Sequence, residues 1–157
     1  MSHQILITSN TSWFVYNFFS HSIRDFIKSH YQVHVLAPYD KYTEKLLELG
    51  CVYHDLSIDR SGANLVSEMK SLFCIYKTIS KLSPDCVINF TPKLNIYSVL
   101  VCKTLNISVV NSIAGLGSII SERGFKPWLG RLLLRFTQPL ADHIIFQNND
   151  LLDLAPL

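Results

Sequence analysis

The 157-residue sequence lacks the short motifs by which several enzyme classes hold their ligands. It has no G-x-x-x-x-G-K-[ST] loop for nucleoside triphosphates and no G-x-G-x-x-G turn for dinucleotides. It has no G-x-S-x-G elbow, which excludes the usual serine hydrolase arrangement. The six histidines show no H-E-x-x-H or comparable spacing, so no metal site is predicted.

Paired cysteines, strong charge and long apolar runs are also missing. Cys51, Cys74, Cys86 and Cys102 form no C-x-x-C pair, which predicts buried thiols in a reducing cytoplasm. A net charge of +2 gives no basis for nucleic-acid binding. The apolar runs are shorter than the ~20 residues of a membrane-spanning helix, and the N-terminus does not resemble a signal peptide. We therefore expect a cytoplasmic protein without a nucleic-acid partner.

Short apolar runs alternate along the chain with longer segments of helical period. Strands are predicted at 4–8, 32–37, 51–56, 85–90, 107–112 and 143–147. Helices are predicted at 14–29, 42–49, 64–82, 92–105 and 128–140. In the helix predicted at 64–82, three-to-four spacing is kept by Leu65, Met69, Leu72, Tyr76 and Ile79. Strand segments such as VHVLA and CVINF are apolar almost throughout, as in strands buried on both faces. The pattern predicts an α/β fold, a Rossmann-like parallel sheet with helices on both faces.

Right-handed crossovers between parallel strands bring every strand-to-helix turn to one edge of the sheet, where ligands of such folds bind. The turns here carry amides, hydroxyls and aromatic rings, which suit sugar hydroxyls and the apolar faces of sugars. Arg60 and Lys93 add cations that favour a diphosphate. Taken singly, each residue is also an ordinary turn or cap residue. The polar and aromatic candidates are Asn10, Thr11, Ser12, Trp13, Tyr16, Asn17, Asn89, Thr91, Asn95, Tyr97, Asn111 and Ser112.

Five segments, in this order and spacing, resemble the N-terminal domain of family 4 GT-B glycosyltransferases: SNTSWFVYNF, LSIDRSGAN, INFTPKLNIYS, VNSIAGLGS and IIFQNNDL. The resemblance covers essentially the whole chain and is greatest to bacterial enzymes that build capsule, O-antigen or N-linked-type glycans on a polyprenyl carrier. It implies that residues 1–157 form the acceptor-binding, Rossmann-like half of a GT-B fold. The nucleotide-sugar donor is then expected on a C-terminal domain that this chain lacks, and no other cofactor is expected.

The resemblance also implies roles for individual residues. Residues 10–17 and 89–97 would face the sugar and diphosphate of a lipid-linked acceptor, while Arg60, Gly115 and Gly117 would line the same cleft. The segment 111–113, Asn-Ser-Ile, lacks the histidine that several family members carry there, so no catalytic residue is assigned. The E-x7-E donor motif is absent, because no two glutamates stand eight positions apart.

Three functions remain open at this point. The first is the acceptor-binding half of a retaining hexosyltransferase, inactive alone. The second is a non-catalytic subunit that presents the acceptor or docks on the membrane and recruits a separate donor-binding chain. The third is a sugar-nucleotide epimerase of GT-B shape, which the turns disfavour because they offer no carboxylate or histidine acid–base candidates.

One basic amphipathic segment is a candidate membrane surface. In ERGFKPWLGRLLLRF, residues 122–136, Trp128, Leu132 and Phe136 recur at helical spacing. Arg131 and Arg135 share another face, and Lys126 lies just ahead. Such a helix binds at an anionic bilayer surface, which would make the protein peripheral on the inner face of the plasma membrane. The alternative is an ordinary amphipathic helix packed on the core, with its charges in solvent.

Overall fold

The computed structural model describes residues 3–58, 65–113 and 124–147. The strands are β1 (Gln4–Thr8), β2 (Gln32–Ala37), β3 (Val52–Asp55), β4 (Cys86–Phe90), β5 (Ser108–Ile113) and β6 (His143–Phe146). The helices are α1 (Ser12–Lys28), α2 (Thr43–Glu48), α3 (Leu65–Leu82), α4 (Pro92–Leu105) and α5 (Phe125–Thr137), and a 3-10 turn (Gln138–Leu140) follows α5. Every element predicted from the sequence is therefore present, with small differences at its ends.

All six strands are parallel, in the order β3-β2-β1-β4-β5-β6, which confirms the predicted Rossmann-like sheet. The strand order reverses between β1 and β4, where Thr8 and Asn89 lie opposite each other in register. In open parallel sheets, ligands bind beyond the carboxyl ends of the strands at such a reversal. The topology therefore places a crevice between the turns that follow β1 and β4.

The sheet separates two hydrophobic cores. Strand residues such as Ile7 and Val35 pack with α1 and α2 on one face. Residues of the opposite parity, such as Leu6 and Leu36, pack with α3 and α4 on the other face. Helix α5 joins this second face through Leu134, which packs with residues of α4 and β5. Burial on both faces explains why the strands are apolar almost throughout.

Local residue chemistry accounts for several helix ends. Thr11 caps α1, because its Oγ1 accepts a hydrogen bond from the backbone N–H of Phe14 at 3.0 Å. Gly50 follows α2 with a φ of 96°, a conformation that glycine adopts without the strain that a Cβ atom would cause. Asn64, predicted as the cap of α3, lies outside the described residues. No helix in the described ranges is both long and apolar enough to cross a bilayer.

The buried side of α3 differs from the stripe that the sequence indicates. Its fully buried residues are Ser71, Ile75 and Ile79, whereas Leu65 and Met69 are 78% and 59% exposed. Ser71 is accommodated because its hydroxyl donates to backbone carbonyls, including that of Ser57 at 2.9 Å. The N-terminal part of the apolar stripe predicted for α3 therefore lies on the surface, where α3 presents large apolar side chains to solvent.

Two histidines on neighbouring strands form a close pair. Nδ1 of His34 in β2 and Nε2 of His54 in β3 are 3.0 Å apart, and the two rings are stacked. Burial, and then the charge of His54, lower the pKa of His34 below its ordinary value of 6.5. Burial, and then the positive charge of Lys81, lower the pKa of His54. The folded protein therefore keeps both rings neutral at pH values where the unfolded chain takes up protons.

Stability is accordingly expected to fall as the pH drops below the ordinary histidine value of 6.5. For each proton that the chain takes up on unfolding, the free energy of unfolding falls by at most about 1.4 kcal/mol per pH unit. Urea unfolding at about pH 7.5 and at about pH 5.5 measures this difference. His54→Gln should reduce the difference, whereas the control His21→Gln, on the exposed surface of α1, should leave it unchanged. An equal pH dependence in both variants and the wild type would contradict the prediction.

Candidate functional site

The turns that follow β1 and β4 lie side by side at the carboxyl edge of the sheet. Thr8 and Asn89 are register partners near the ends of these strands, and α1 and α4 begin within four residues of them. The two helices cover opposite faces of the sheet, so their N-termini flank the crevice from both sides. Backbone N–H groups and the helix dipoles at such N-termini favour an anion.

A row of hydrogen-bonded polar side chains lies beneath the crevice. Thr8 Oγ1 donates to Asn89 Oδ1 at 2.7 Å, and Asn89 Nδ2 donates to Asn111 Oδ1 at 2.8 Å. Asn111 Nδ2 in turn donates to Oε1 of Gln138 at 3.0 Å. All four side chains are buried. We call this row, formed by Thr8, Asn89, Asn111 and Gln138, the amide row.

Asn95 fastens the first turn of α4 to the amide row. Its Nδ2 donates to the backbone carbonyl of Ser112 at 3.2 Å, and its own backbone carbonyl accepts from Asn111 Nδ2 at 3.1 Å. Asn95 is also fully buried. Asn89, Asn95 and Asn111 were predicted to face a ligand, but here their amides bond within the protein. Their place in the structure is that of supports under the crevice.

The start of α1 is tied to the turn after β2. The buried Ser12 donates from Oγ to the carbonyl of Pro38 at 3.0 Å and accepts from Oγ1 of Thr43 at 3.1 Å. The backbone N–H of Trp13 donates to Oδ2 of Asp40 at 2.9 Å. Because Ser12 uses its hydroxyl internally and Thr11 is the helix cap, the accessible groups of this turn are the half-buried Asn10 and the exposed ring of Trp13.

The two remaining candidates on α1 have partners away from the turn. The ring of Tyr16 lies 5.6 Å from that of Tyr42, and the ammonium of Lys45 lies 5.3 Å from the Tyr16 ring. Tyr16 is therefore part of the contact between α1 and the start of α2. The exposed Asn17 donates from Nδ2 to the carbonyl of Trp13 at 2.8 Å, one helical turn earlier.

Thr91 joins β4 to α4 in a strained backbone conformation. Its φ of 74° and ψ of 142° are rare for a β-branched residue. Its Oγ1 is buried and has no hydrogen-bond partner among the described residues. Backbone strain of this kind costs about 1–3 kcal/mol and is concentrated at functional sites. The strained residue stands at the rim of the crevice, beside the N-terminus of α4.

Glu68 of α3 organises a charged cluster that the sequence did not indicate. Lys93 Nζ lies 2.6 Å from Glu68 Oε1, and the hydroxyl of Tyr97 donates to Glu68 Oε2. All three side chains are partly buried. Burial, and then the hydrogen bond to and the charge of Glu68, raise the pKa of Tyr97, which keeps its hydroxyl protonated as a donor. The cluster holds the Lys93 side chain at the first turn of α4.

Some predicted residues fall outside the described part of the chain, namely Arg60, Gly115 and Gly117. The side chain of Lys126 is also outside it. Within α5, Trp128 is half exposed and its ring stacks on that of Phe125 at 5.9 Å. Arg135 is exposed and Arg131 is half-buried. Of the residues predicted for a membrane surface, Trp128 and Arg135 thus face solvent on α5.

Comparison with known proteins identifies relatives of this chain. A family model described as glycosyl transferase 4-like matches residues 4–148. A curated relative from Campylobacter jejuni is N,N'-diacetylbacillosaminyl-diphospho-undecaprenol α-1,3-N-acetylgalactosaminyltransferase. It is 30% identical over 122 residues, which cover 74% of this chain and 32% of the relative. The chain therefore spans about a third of the length of that relative.

Solved structures show the same fold at low sequence identity. MurG from Acinetobacter baumannii superposes with a TM-score of 0.63 at 16% identity, over 96% of this chain and 42% of that chain. The UDP-GlcNAc 2-epimerase from Methanocaldococcus jannaschii superposes with a TM-score of 0.62 at 21% identity, over 98% of this chain and 42% of that chain. Because a transferase and an epimerase fit about equally well, these likenesses establish the fold alone.

Proposed function

Because this chain belongs to the glycosyl transferase 4-like family, we propose that it is the acceptor-binding half of a retaining GT-B glycosyltransferase. In this proposal the crevice between β1 and β4 binds the sugar and diphosphate of a lipid-linked acceptor. A second domain binds the nucleotide-sugar donor. The observation that carries the proposal is the meeting of two helix N-termini, Lys93 and the strained Thr91 where the strand order reverses.

The chemistry of the crevice suits a sugar diphosphate. The Campylobacter relative is named for a substrate in which a sugar is joined through a diphosphate to undecaprenol. Two phosphates need cations or dipoles that favour an anion, and the crevice offers Lys93 at the N-terminal end of α4. Sugar hydroxyls need groups that donate and accept, such as the Asn10 amide, and the Trp13 ring offers an apolar face.

The task of this half in the proposed reaction is positioning. The acceptor hydroxyl forms a bond to the anomeric carbon of the donor, the bond from that carbon to the nucleotide diphosphate breaks, and the hydroxyl proton passes to the departing diphosphate. This front-side route needs no base from the acceptor half, and the end of β5, Asn111-Ser112-Ile113, presents no histidine. Holding the hydroxyl beside the anomeric carbon, on the same side as the departing diphosphate, removes the entropy cost of bringing the two together.

The state of the cysteines agrees with a cytoplasmic site of action, which we also propose. All four thiols are free, and Cys51 and Cys102 are buried. Burial raises the pKa of Cys51 to about 11 and is also the main cause that raises the pKa of Cys102 to about 12. Such thiols are unreactive and are typical of a reducing compartment.

Removing the charge of Lys93 should weaken acceptor binding. Lys93→Met is expected to lower the affinity for a water-soluble, short-prenyl sugar diphosphate by about 10- to 100-fold, because one charge-assisted hydrogen bond contributes roughly 1.5–3 kcal/mol. Glu68→Gln should lower it less, since Lys93 then keeps its charge but loses the partner that orients it. Calorimetry of the 157-residue chain measures both effects.

The matched control for these variants is Glu48→Gln, at the exposed end of α2 on the opposite face of the sheet. It should leave the affinity unchanged. Wild-type affinity in the Lys93→Met variant would show that the diphosphate does not bind in the crevice, and the proposed function would then lose its main support.

A further inference from the structure

The two helix N-termini that flank the crevice have different partners. In the first turn of α1, the backbone N–H of Trp13 donates to Oδ2 of Asp40 at 2.9 Å. Thr91, the N-cap of α4, makes no side-chain capping hydrogen bond, and Lys93 lies in the first turn of that helix. A carboxylate of the protein therefore already occupies the positive end of α1, whereas α4 carries a cation at its positive end.

Asp40 belongs to the turn after β2 and is held in place from several sides. Its other oxygen, Oδ1, accepts a hydrogen bond from the backbone N–H of Tyr42 at 2.8 Å, and its own backbone N–H donates to Oγ1 of Thr43 at 3.1 Å. The side chain is nevertheless only half-buried. An ionised carboxylate has about four lone-pair positions, of which Trp13 and Tyr42 use two. The carboxylate can therefore also accept hydrogen bonds from a ligand.

The charge of Asp40 is not neutralised by a neighbouring cation. Within residues 3–58, 65–113 and 124–147, no lysine, arginine or histidine forms an ion pair with Asp40. Lys41 and Lys45 follow it in the chain, but their ammonium groups lie over the ring of Tyr42, 5.4 and 4.9 Å from its centre. The turn after β2 therefore presents a negative charge beside the start of α1.

A carboxylate at this position distinguishes the two parts of a sugar diphosphate. Sugar hydroxyls are hydrogen-bond donors, and a hydroxyl that donates to a carboxylate makes a strong, charge-assisted hydrogen bond. An ionised diphosphate offers only acceptor oxygens and carries the same sign of charge as Asp40, so the two repel each other. The sugar is therefore favoured at the start of α1, and the diphosphate is disfavoured there.

The order of the strands gives these two regions a suitable separation. Strand β1 lies between β2, which precedes Asp40, and β4, which precedes Lys93. Neighbouring strands are about 4.8 Å apart, so the ends of β2 and β4 are about 10 Å apart. A hexose ring together with the phosphate attached to it bridges such a gap. The ring of Trp13, which is 45% exposed, lies at the start of α1 and offers the sugar an apolar face.

We propose that Asp40 is a specificity-determining residue that binds a hydroxyl of the acceptor sugar and keeps the diphosphate away from α1. This inference rests on the proposed function and fixes the direction in which the acceptor lies in the crevice. The sugar lies between Asp40 and the ring of Trp13, and the diphosphate lies at Lys93 and the N-terminus of α4. Asp40 thus contributes to the affinity for the sugar, and Lys93 contributes to the affinity for the diphosphate.

Calorimetry with two matched ligands tests this assignment. One ligand is a short-prenyl sugar diphosphate, and the other is the same prenyl diphosphate without the sugar. We call the ratio of their affinities the sugar increment, which is expected to be well above one for the wild type. Asp40→Asn should lower the affinity for the sugar diphosphate by about 10-fold or more and should leave the affinity for the sugar-free ligand unchanged. Lys93→Met should lower both affinities by the same factor and keep the sugar increment.

Two controls separate the charge of Asp40 from its structural contacts. Thr43→Val removes hydrogen bonds to Asp40 and Ser12 from the same turn but leaves the carboxylate, so it should lower the urea midpoint and keep the sugar increment. Glu48→Gln removes an exposed carboxylate at the end of α2 and should change neither. Asp40→Ser, which also keeps an oxygen acceptor without the charge, should repeat the result of Asp40→Asn if that variant does not fold.

The possible results distinguish this inference from the proposed function. A wild-type sugar increment near one, an unchanged increment in the Asp40 variants, or an equal loss in Thr43→Val would overturn the role of Asp40. Each of these results leaves the effect of Lys93→Met on both ligands intact. If the wild type binds neither ligand, or if Lys93→Met binds both as the wild type does, the proposed function fails, and the inference fails with it.

Discussion

Replacing Asn89 by leucine is expected to lower the free energy of unfolding by about 3 kcal/mol. Asn89 lies within the amide row, and leucine keeps its branched shape while replacing the amide oxygen and nitrogen by methyl groups. The substitution leaves Thr8 Oγ1 and Asn111 Oδ1 buried without their partner. A buried polar group that loses its hydrogen bond costs roughly 1–3 kcal/mol, and two such groups are created here.

Urea unfolding near neutral pH measures this effect. The control is Asn17→Leu, whose amide contacts the Trp13 carbonyl on the exposed side of α1 and should change stability by less than about 0.5 kcal/mol. Adding Asn111→Leu to Asn89→Leu should cost less than the sum of the two single changes, because the bond between the two amides is lost only once. A loss in Asn89→Leu no larger than that of the control would contradict the role given to the amide row.

The second large effect concerns activity: the 157-residue chain alone is expected to transfer no sugar. Transfer requires the nucleotide diphosphate to be held and its charge stabilised as it departs, which is usually the largest single contribution to catalysis. The family resemblance assigns those groups to a donor domain, and the sequence has no glutamate pair at the E-x7-E spacing. The part of this chain that matches the Campylobacter relative covers about a third of that protein, which agrees with an expected need for further residues in transfer.

Calorimetric titration with UDP-sugars and GDP-sugars, followed by a transfer assay, tests the expectation. The intact Campylobacter relative serves as the positive control for transfer. Supplying a donor-binding half, joined to this chain or as a separate chain, should restore turnover, and restoration by a separate natural chain would favour the subunit interpretation. Micromolar binding of a nucleotide-sugar with turnover by this chain alone would place the donor site here. It would contradict the proposal that the donor binds to a second domain.

The sequence was sufficient to predict the helices, the strands and the parallel arrangement of the sheet. β1 and β2 have the predicted bounds, 4–8 and 32–37, because each apolar run ends at a polar turn or a proline. The sequence could not show that β1 and β4 are neighbours, since strand order depends on packing between distant segments. The register that brings Thr8 opposite Asn89, and Asn89 opposite Asn111, follows from that order.

The site was predicted less completely, for two physical reasons. Strands buried on both faces lack the alternation that tells which side a residue faces, so Asn89 and Asn111 were expected at the surface of the crevice and lie under it. Glu68 and Lys93 are 25 residues apart and meet only because α3 packs beside α4. The spacing of apolar residues along α3 also could not distinguish the packed side, at Ile75, from the exposed side, at Phe73.

Mapping the binding site by NMR shows directly whether the crevice between β1 and β4 binds a sugar diphosphate. The isotope-labelled chain is titrated with a short-prenyl sugar diphosphate and, separately, with a UDP-sugar. The acceptor analogue is expected to shift the backbone amide signals of residues 9–13 and of Thr91 and Lys93, and the UDP-sugar is expected to leave them unchanged. Acceptor-induced shifts confined to other parts of the sheet, or an equal response of these amides to the UDP-sugar, would contradict it.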